Sequence, residues 1–313
     1  MSKRFIGARQ TTIAREIELQ GKGVHSGAPV SVTLHPAGPN TGIKFLVNKR
    51  GRIIAEIPAE VGYVKNLTLC TVIGDDAGVS VGTVEHLLAA LRGLSVDNCY
   101  VEIDSKEVPI MDGSAAPFVH AIDQVGIREL PEPRKYIKVL KPIRVEEGEC
   151  CGELSPHSGF HLDVEIEFET PVIGRQRLAF DVNPGVFRHE LAIARTFGFM
   201  HDVEKLWKAG LALGASLDNT IAIGDGRILN REGLRCSMEF VRHKMLDAVG
   251  DLALAGYPLL GAYRSVRGGH RLNASVLKAL FADSSAWTLV QAPRVREPFV
   301  RLPTAMAAVA AAE

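Results

Sequence analysis

The sequence lacks the features that would place the chain in a membrane or on nucleic acid. Lys plus Arg and Asp plus Glu are both 36, so the formal net charge is +0 and no global basic field attracts nucleic acid. The N-terminal segment is polar and has no apolar core, so we expect no secretory signal. The most apolar long stretch, 245–263, contains two aspartates and a proline and is too polar to span a bilayer. We therefore expect a cytoplasmic protein.

Cysteine is scarce and irregularly spaced. The five cysteines are Cys70, Cys99, Cys150, Cys151 and Cys236. An odd number without a CxxC pair is typical neither of a disulfide framework nor of a structural zinc site. We interpret these residues as buried thiols. The chain also has no HExxH motif, which argues against a zinc peptidase.

The length of 313 residues is comfortable for two domains. In the first half, alternating apolar residues predict strands over 29–35, 43–47, 53–57 and 98–103. Helices are predicted over 84–92 and 114–125, the first with Thr83 as N-cap and Gly93 as C-terminal stop.

The second half repeats the order of strands before helices. Segments 136–145 and 161–168 predict strands, and 238–255 and 272–281 predict helices. Two prolines at 129–134 predict an exposed linker. We therefore expect an α+β fold of two domains, 1–129 and 130–304, followed by an Ala-rich tail at 305–313. No sequence repeat between the halves is evident.

Three motifs carry candidate chemistry. The first places His243, Asp247 and Asp251 four residues apart, so that on a helix they share one face. Imidazole and carboxylate are both good zinc ligands, although a solvated helix face explains the same spacing. The second motif joins Glu85 and His86 at the start of an apolar helix. The alternative is that Glu85 interacts favourably with the helix dipole and that His86 is a histidine whose hydrogen bonds are satisfied.

The third motif is Gly268-Gly-His270, where two glycines aim a histidine from a loop, unless the segment is an ordinary turn. Taken together, the motifs fit one catalytic zinc, which usually has three protein ligands and an open position for water. His86, His243 and Asp247 supply the ligands, and Glu85 lies next to a ligand as general base. His270 is then the acid, with Asp251 favouring its protonated form.

At these residues the chain resembles the UDP-3-O-acyl-N-acetylglucosamine deacetylase family, whose zinc amidases act in lipid A biosynthesis. The resemblance extends from position 21 to position 270. The matching motifs are GKGVH at 21–25, TVEHLLAA at 83–90, PIMDGS at 109–114, ARTFGF at 194–199, SLDNT at 216–220, HKMLD at 243–247 with GD at 250–251, and GGH at 268–270.

The resemblance implies two α+β domains of similar topology, each a sheet layered with helices, with the active site between them. It assigns the metal to His86, His243 and Asp247, the base to Glu85, and the acid to His270 backed by Asp251. It assigns Thr196 to the oxyanion, and Lys244 and Phe197 to the nucleotide and sugar. The insert at about 197–215, which includes Phe199, would form a hydrophobic passage for an acyl chain.

The expected reaction is hydrolysis of the N-acetyl group of UDP-3-O-(3-hydroxyacyl)-N-acetylglucosamine, giving acetate and a free amine. The expected cofactor is one Zn2+ per chain, with Fe2+ as an alternative because N and O ligands accept several divalent metals. The expected partner is this small molecule, with no nucleic acid, and the chain is expected to be a monomer. A sugar-nucleotide-binding protein with a structural metal and a zinc-dependent lyase remain as alternatives.

Overall fold

The computed structural model describes residues 7–293 and has the expected α+β fold. The predicted tail at 305–313 lies outside the described residues, and the boundary between domains near residue 129 stays a prediction. A 3-10 turn, Val61–Tyr63, and a π-helical turn, Phe187–Leu191, join the regular elements. The described helices are α1 (Glu85–Gly93), α2 (Ala116–Val125), α3 (Pro184–Val186), α4 (Met200–Lys208), α5 (Glu239–Ala253) and α6 (His270–Ala282).

The strands form several sheets. In chain order they are β1 (Arg9–Ile13), β2 (Ile17–Lys22), β3 (Pro29–Pro36), β4 (Ile43–Lys49), β5 (Arg52–Pro58), β6 (Val64–Asn66), β7 (Val72–Gly74), β8 (Ser80–Val81), β9 (Cys99–Ile103), β10 (Ile127–Pro133), β11 (Lys135–Val139), β12 (Ile143–Glu147), β13 (Cys150–Pro156), β14 (Phe160–Glu167), β15 (Arg175–Asp181), β16 (Phe197–Phe199), β17 (Ile221–Gly224), β18 (Arg227–Ile228), β19 (Leu259–Val266) and β20 (Trp287–Gln291). Their alternation follows the sequence: in β3, Val30, Val32 and Leu34 are buried and Ser31 is exposed.

The main sheets of the two halves share one pairing pattern. The first has the order β2-β3-β9-β4-β5, with β4 and β9 parallel and the other neighbours antiparallel. In the second sheet, β12-β13-β19-β14-β15 repeats that order, with β14 and β19 as the parallel pair. Strands β11 and β20 extend the second sheet beside β19. The halves are therefore related in topology, although no sequence repeat is evident.

Equivalent helices of the two halves meet in the core. Helix α1 precedes the inner strand β9 of the first sheet, and α5 precedes the inner strand β19 of the second. Both helices are buried over nearly their whole length, and they pack directly on each other. Gly250 permits this approach, because a Cβ there would lie 2.0 Å from the carbonyl oxygen of Glu85. The N-terminus of α1 is thus fixed against the middle of α5.

Three local predictions were wrong. The segment at 129–134 is not an exposed linker but largely strand β10, which pairs antiparallel with β1. Thr83 is not the N-cap of α1; Val84 takes that position without a side-chain cap, and the Thr83 hydroxyl donates to Glu107. The strand predicted over 136–145 is two strands, β11 and β12, separated around Leu140.

The structure also bears on the predictions about membrane-spanning segments and about the cysteines. Within residues 7–293, no helix combines the length and the apolar character needed to cross a bilayer. All five cysteines are free thiols. Cys70 and Cys99 are buried as expected, whereas Cys150, Cys151 and Cys236 are only partly buried.

Candidate metal centre

The contact between α1 and α5 brings the first two sequence motifs together. His86 lies in the first turn of α1, and His243 and Asp247 are one turn apart on α5. One potential ligand atom from each residue lies within 4.8 Å of the other two. The Nε2 atoms of His86 and His243 lie 3.5 and 3.4 Å from Oδ1 of Asp247. Three side chains from distant segments therefore converge on one point.

The chemistry of this cluster fits a divalent cation. All three residues are 3–4% exposed, and neither Nδ1 of His86 nor Oδ1 of Asp247 has a hydrogen-bond partner. Burial lowers the pKa of His243 to about 3, which keeps its imidazole neutral. Its Nδ1 lies 3.1 Å from the carbonyl oxygen of Ala194, so donation there leaves Nε2 with a free lone pair. The unpartnered Oδ1 of Asp247, which faces both Nε2 atoms, is costly to bury unless a cation satisfies it.

Lys244 sets the charge on the third ligand. Its Nζ lies 2.6 Å from Oδ2 of Asp247, the oxygen opposite the one facing the histidines. Burial opposes ionisation of Asp247, but its charged neighbours, Lys244 among them, hold its pKa well below the usual range. Asp247 is therefore a carboxylate with one oxygen fixed by Lys244 and the other directed at the cluster.

Glu85 and His270 lie beside the cluster and face each other. Oε1 of Glu85 is 3.9 Å from Nε2 of His270, and Nδ1 of His270 is 2.8 Å from Oδ2 of Asp251. Burial raises the pKa of Glu85, opposed by the positive charge of His270. Burial alone would lower the pKa of His270, but the Asp251 carboxylate overcomes it and raises that pKa to about 9. The site thus pairs a carboxylate of raised pKa with a cationic imidazole.

Comparison with known proteins identifies the family. Residues 10–282 match the family model described as UDP-3-O-acyl N-acetylglycosamine deacetylase. Curated proteins named UDP-3-O-acyl-N-acetylglucosamine deacetylase from Brucella ovis, Brucella canis and Brucella abortus are 51% identical over 290 residues, covering 92% of this chain and 100% of each relative. The chain belongs to this family of deacetylases.

Of the other residues predicted for a deacetylase site, Phe197 and Lys244 contact the cluster. Thr196 is partly buried, and its backbone is fixed by hydrogen bonds to Gly113 and Ile221. The Phe197 ring packs edge-on against His243 at 6.2 Å and against Phe240 at 5.0 Å. Phe199 lies further out, against Phe168 and His201. The structure gives Lys244 an ion pair with Asp247, and its predicted contact with a nucleotide stays a prediction.

Two residues that position this site were missed at the sequence level. The Thr71 backbone N–H donates to Oε2 of Glu85 at 3.0 Å, and its hydroxyl donates to Oδ1 of Asp251 at 2.6 Å. Asn273 donates to Oδ2 of Asp251 at 2.8 Å and accepts from the buried Tyr263 hydroxyl. Asn273 could have been found from the sequence, because it is an amide three residues after His270 on an otherwise apolar helix face. No pattern around Thr71 distinguishes it from an ordinary loop threonine.

Proposed function

We propose that the chain hydrolyses the N-acetyl group of a UDP-3-O-(3-hydroxyacyl)-N-acetylglucosamine, giving acetate and a free amine for lipid A biosynthesis. The observation that carries the proposal is the buried cluster of His86, His243 and Asp247, in which Oδ1 of Asp247 has no hydrogen-bond partner, flanked by Glu85 and His270. Membership of the deacetylase family supports the choice of substrate and bond.

The three clustered residues are proposed to hold one divalent cation per chain. Nε2 of His86, Nε2 of His243 and Oδ1 of Asp247 are the ligand atoms that fit, and such a set leaves a coordination position open. Zn2+ is the proposed ion, with Fe2+ as the alternative because the donor set contains only N and O. When bound, the ion would acidify a water molecule and polarise the amide carbonyl of the substrate.

Glu85 is proposed as the general base. Its Oε2 accepts the Thr71 N–H, which leaves Oε1 directed toward His270 and the reaction space. A carboxylate that is buried and has a raised pKa is a stronger base than a solvated one. Glu85 is therefore proposed to take the proton from the attacking water. The next residue, His86, is proposed to remain a ligand of the cation.

His270 and Thr196 are proposed to face the negative charge that develops on the carbonyl oxygen. With a pKa raised to about 9, His270 is an imidazolium at neutral pH. One well-placed donor of this kind typically contributes about 2.7–4 kcal/mol to transition-state stabilisation. Either His270 or Glu85 is then proposed to donate a proton to the leaving amine.

The acyl chain and nucleotide are proposed to bind next to this centre. The insert at 197–215 contains β16 and α4, and within it Met200, Trp207 and Leu213 expose about half of their surface. Exposed apolar side chains in the segment that also carries the Phe197 and Phe199 rings suit a fatty chain. Lys244 is proposed to face the diphosphate. The chain is proposed to act on this small molecule as a monomer.

The test is acetate release from an acetyl-labelled acylated UDP-sugar, with and without a chelator. We expect release that chelation abolishes and added Zn2+ restores. The same sugar nucleotide without its acyl chain is the matched control and should react far more slowly, because the insert then has nothing to bind. Activity that survives complete demetallation would contradict the proposal.

A further inference from the structure

A cavity lies at the opposite end of α1 from the metal centre. Its volume is about 50 Å³, several times the about 10–15 Å³ that one water molecule requires. Arg92, in the last turn of α1, lines it, six residues or about 9 Å along the helix from His86. The exposed residues Asn183 and Tyr257 stand at its opening. The cavity is therefore separate from the proposed active site and open to small molecules.

Arg92 is a buried cation whose hydrogen-bonding capacity is largely unused. Its side chain is 10% exposed, and neither Nε nor Nη1 has a hydrogen-bond partner. Only Nη2 reaches an acceptor, the carbonyl oxygen of Gly256 at 3.4 Å. Burial lowers the pKa of this guanidinium to about 10, which still leaves it charged at neutral pH. A buried charge with unpaired donors requires a compensating partner.

The nearest carboxylate is already committed to another arginine. Oδ1 of Asp97 lies 3.8 Å from Nη1 of Arg92 but accepts from Nε of Arg134 at 2.9 Å. Its Oδ2 accepts from the backbone N–H of Thr11. Asp97 therefore forms no hydrogen bond to Arg92, and no acidic residue is among the described residues lining the cavity. The carbonyl end of α1 offsets part of the remaining positive charge but supplies no acceptor to Nε or Nη1.

Much of the remaining lining is apolar and includes Phe160, Val182, Val249, Leu252 and Leu260. A monoanion matches the one charge of Arg92 and supplies acceptors to its free Nε and Nη1, whereas a dianion would place a second negative charge beside these apolar side chains. A planar carboxylate matches the planar guanidinium in a paired hydrogen bond. We propose that this cavity binds a small monocarboxylate, with its carboxylate on Arg92 and its short apolar chain against the leucine and valine side chains.

The test is thermal unfolding of the metal-loaded protein in sodium butyrate, replacing sodium chloride at constant ionic strength. A ligand that binds only the folded state stabilises it by mass action, so at about ten times its Kd we expect Tm to rise by about 2 °C. Arg92→Met should lose this increase, and its own Tm without butyrate should be unchanged or higher because a poorly paired buried charge is gone. Arg231→Met, which removes an exposed arginine, is the matched control and should keep the increase.

Further measurements distinguish butyrate bound at Arg92 from butyrate bound at the metal centre and from general salt effects. Butyrate bound at the metal centre would stabilise Arg92→Met as much as the unmodified chain, and that result would overturn the proposal. General salt effects cancel in the difference between the two proteins, so an equal Arg92-dependent shift in sulfate would overturn the choice of a monocarboxylate. Arg92→Lys keeps the charge without the planar pair of donors, and should bind butyrate about tenfold more weakly. A cavity filled only by water would show no saturable butyrate effect in any variant, which also overturns the proposal.

Discussion

Asp251 illustrates how one buried carboxylate sets the charge of a neighbouring side chain. It accepts from His270, Asn273 and Thr71 and is 1% exposed. Because its charge raises the pKa of His270 to about 9, the imidazolium persists well above neutral pH. The resulting stabilisation of the fold is complete below the ordinary histidine pKa of about 6.5 and is lost as pH rises through 9.

We therefore expect Asp251→Asn to lower the pKa of His270 by more than one unit, since burial is then opposed only by the weaker effects of Glu85 and Asp247. The imidazole titration followed by NMR in demetallated protein measures this directly. The alkaline limb of kcat/KM should move to lower pH in the loaded enzyme. Asp283→Asn, at an exposed position beyond α6, should change neither quantity, and an unshifted His270 titration in Asp251→Asn would contradict the assignment.

Glu85 and His86 are adjacent, but the proposal gives them separable roles. His86→Ala removes a ligand, so metal affinity and activity should both fall, the former by at least 100-fold. Glu85→Gln leaves all three ligands in place, so metal content should stay near one ion per chain while kcat falls by about 10²–10⁴-fold. Metal analysis and steady-state kinetics on the same samples test this. Loss of metal in Glu85→Gln would instead give Glu85 a ligand role.

At the scale of single residues, the motifs predicted which side chains come together better than which groups support them. The i, i+4 spacing of His243 and Asp247 and the Glu85–His86 pair carried enough information because ligand chemistry limits the residue types. The Thr71 N–H that donates to Glu85 and the Ala194 carbonyl are backbone groups, which any residue provides, so the sequence contained no mark of these two contacts. Tertiary packing alone selects such groups.

At the scale of elements, the close approach of α1 and α5 depends on Gly250. A methyl group there would meet the Glu85 carbonyl at 2.0 Å, which forces the helices apart. We expect Gly250→Ala to destabilise the fold by about 1–3 kcal/mol through overpacking and to weaken metal binding. Denaturant unfolding and metal titration measure the two effects. Gly62→Ala, where nothing lies within 4 Å, is the control and should alter neither.

The buried pair of Arg195 and Glu239 connects the start of α5 to the segment before β16. Oε1 of Glu239 accepts from both the backbone N–H and Nε of Arg195, between Ala194, which contacts His243, and Thr196. Since Glu239 is 0% exposed, Glu239→Ala leaves the buried Arg195 without its buried partner and should cost about 3–5 kcal/mol. Denaturant unfolding tests this.

Glu232 provides the matched control for that pair. It contacts the same arginine through Nη1, but its side chain is 57% exposed. Glu232→Ala should therefore change stability by less than about 1 kcal/mol. Equal losses of stability in Glu239→Ala and Glu232→Ala would show that burial does not set the strength of these two ion pairs.

The types of the elements were predictable because the hydrophobic periodicity of a strand or helix is visible in a single sequence, as in β3 and α5. The errors came from tertiary interactions that periodicity does not contain. Prolines at 131 and 133 indicated a linker, yet they lie in β10, a strand of a two-stranded sheet in which each pairs on one side only. Thr83 has the chemistry of an N-cap, but its positive φ of 54° and its bond to Glu107 direct the hydroxyl elsewhere.

At the scale of the whole molecule, the repeated strand order places α1 and α5 at equivalent positions in the two halves. His86 comes from the first half and His243 and Asp247 from the second, so a bound cation joins both. Binding to the folded state alone stabilises it, since the unfolded chain holds these residues about 160 positions apart without a preformed site. We therefore expect chelation to lower Tm of the whole chain, and Zn2+ to restore it. His243→Ala should unfold at one Tm with or without chelator, because the linkage between halves is then absent. A chelator effect of equal size in His243→Ala would mean that the stabilising ion binds elsewhere.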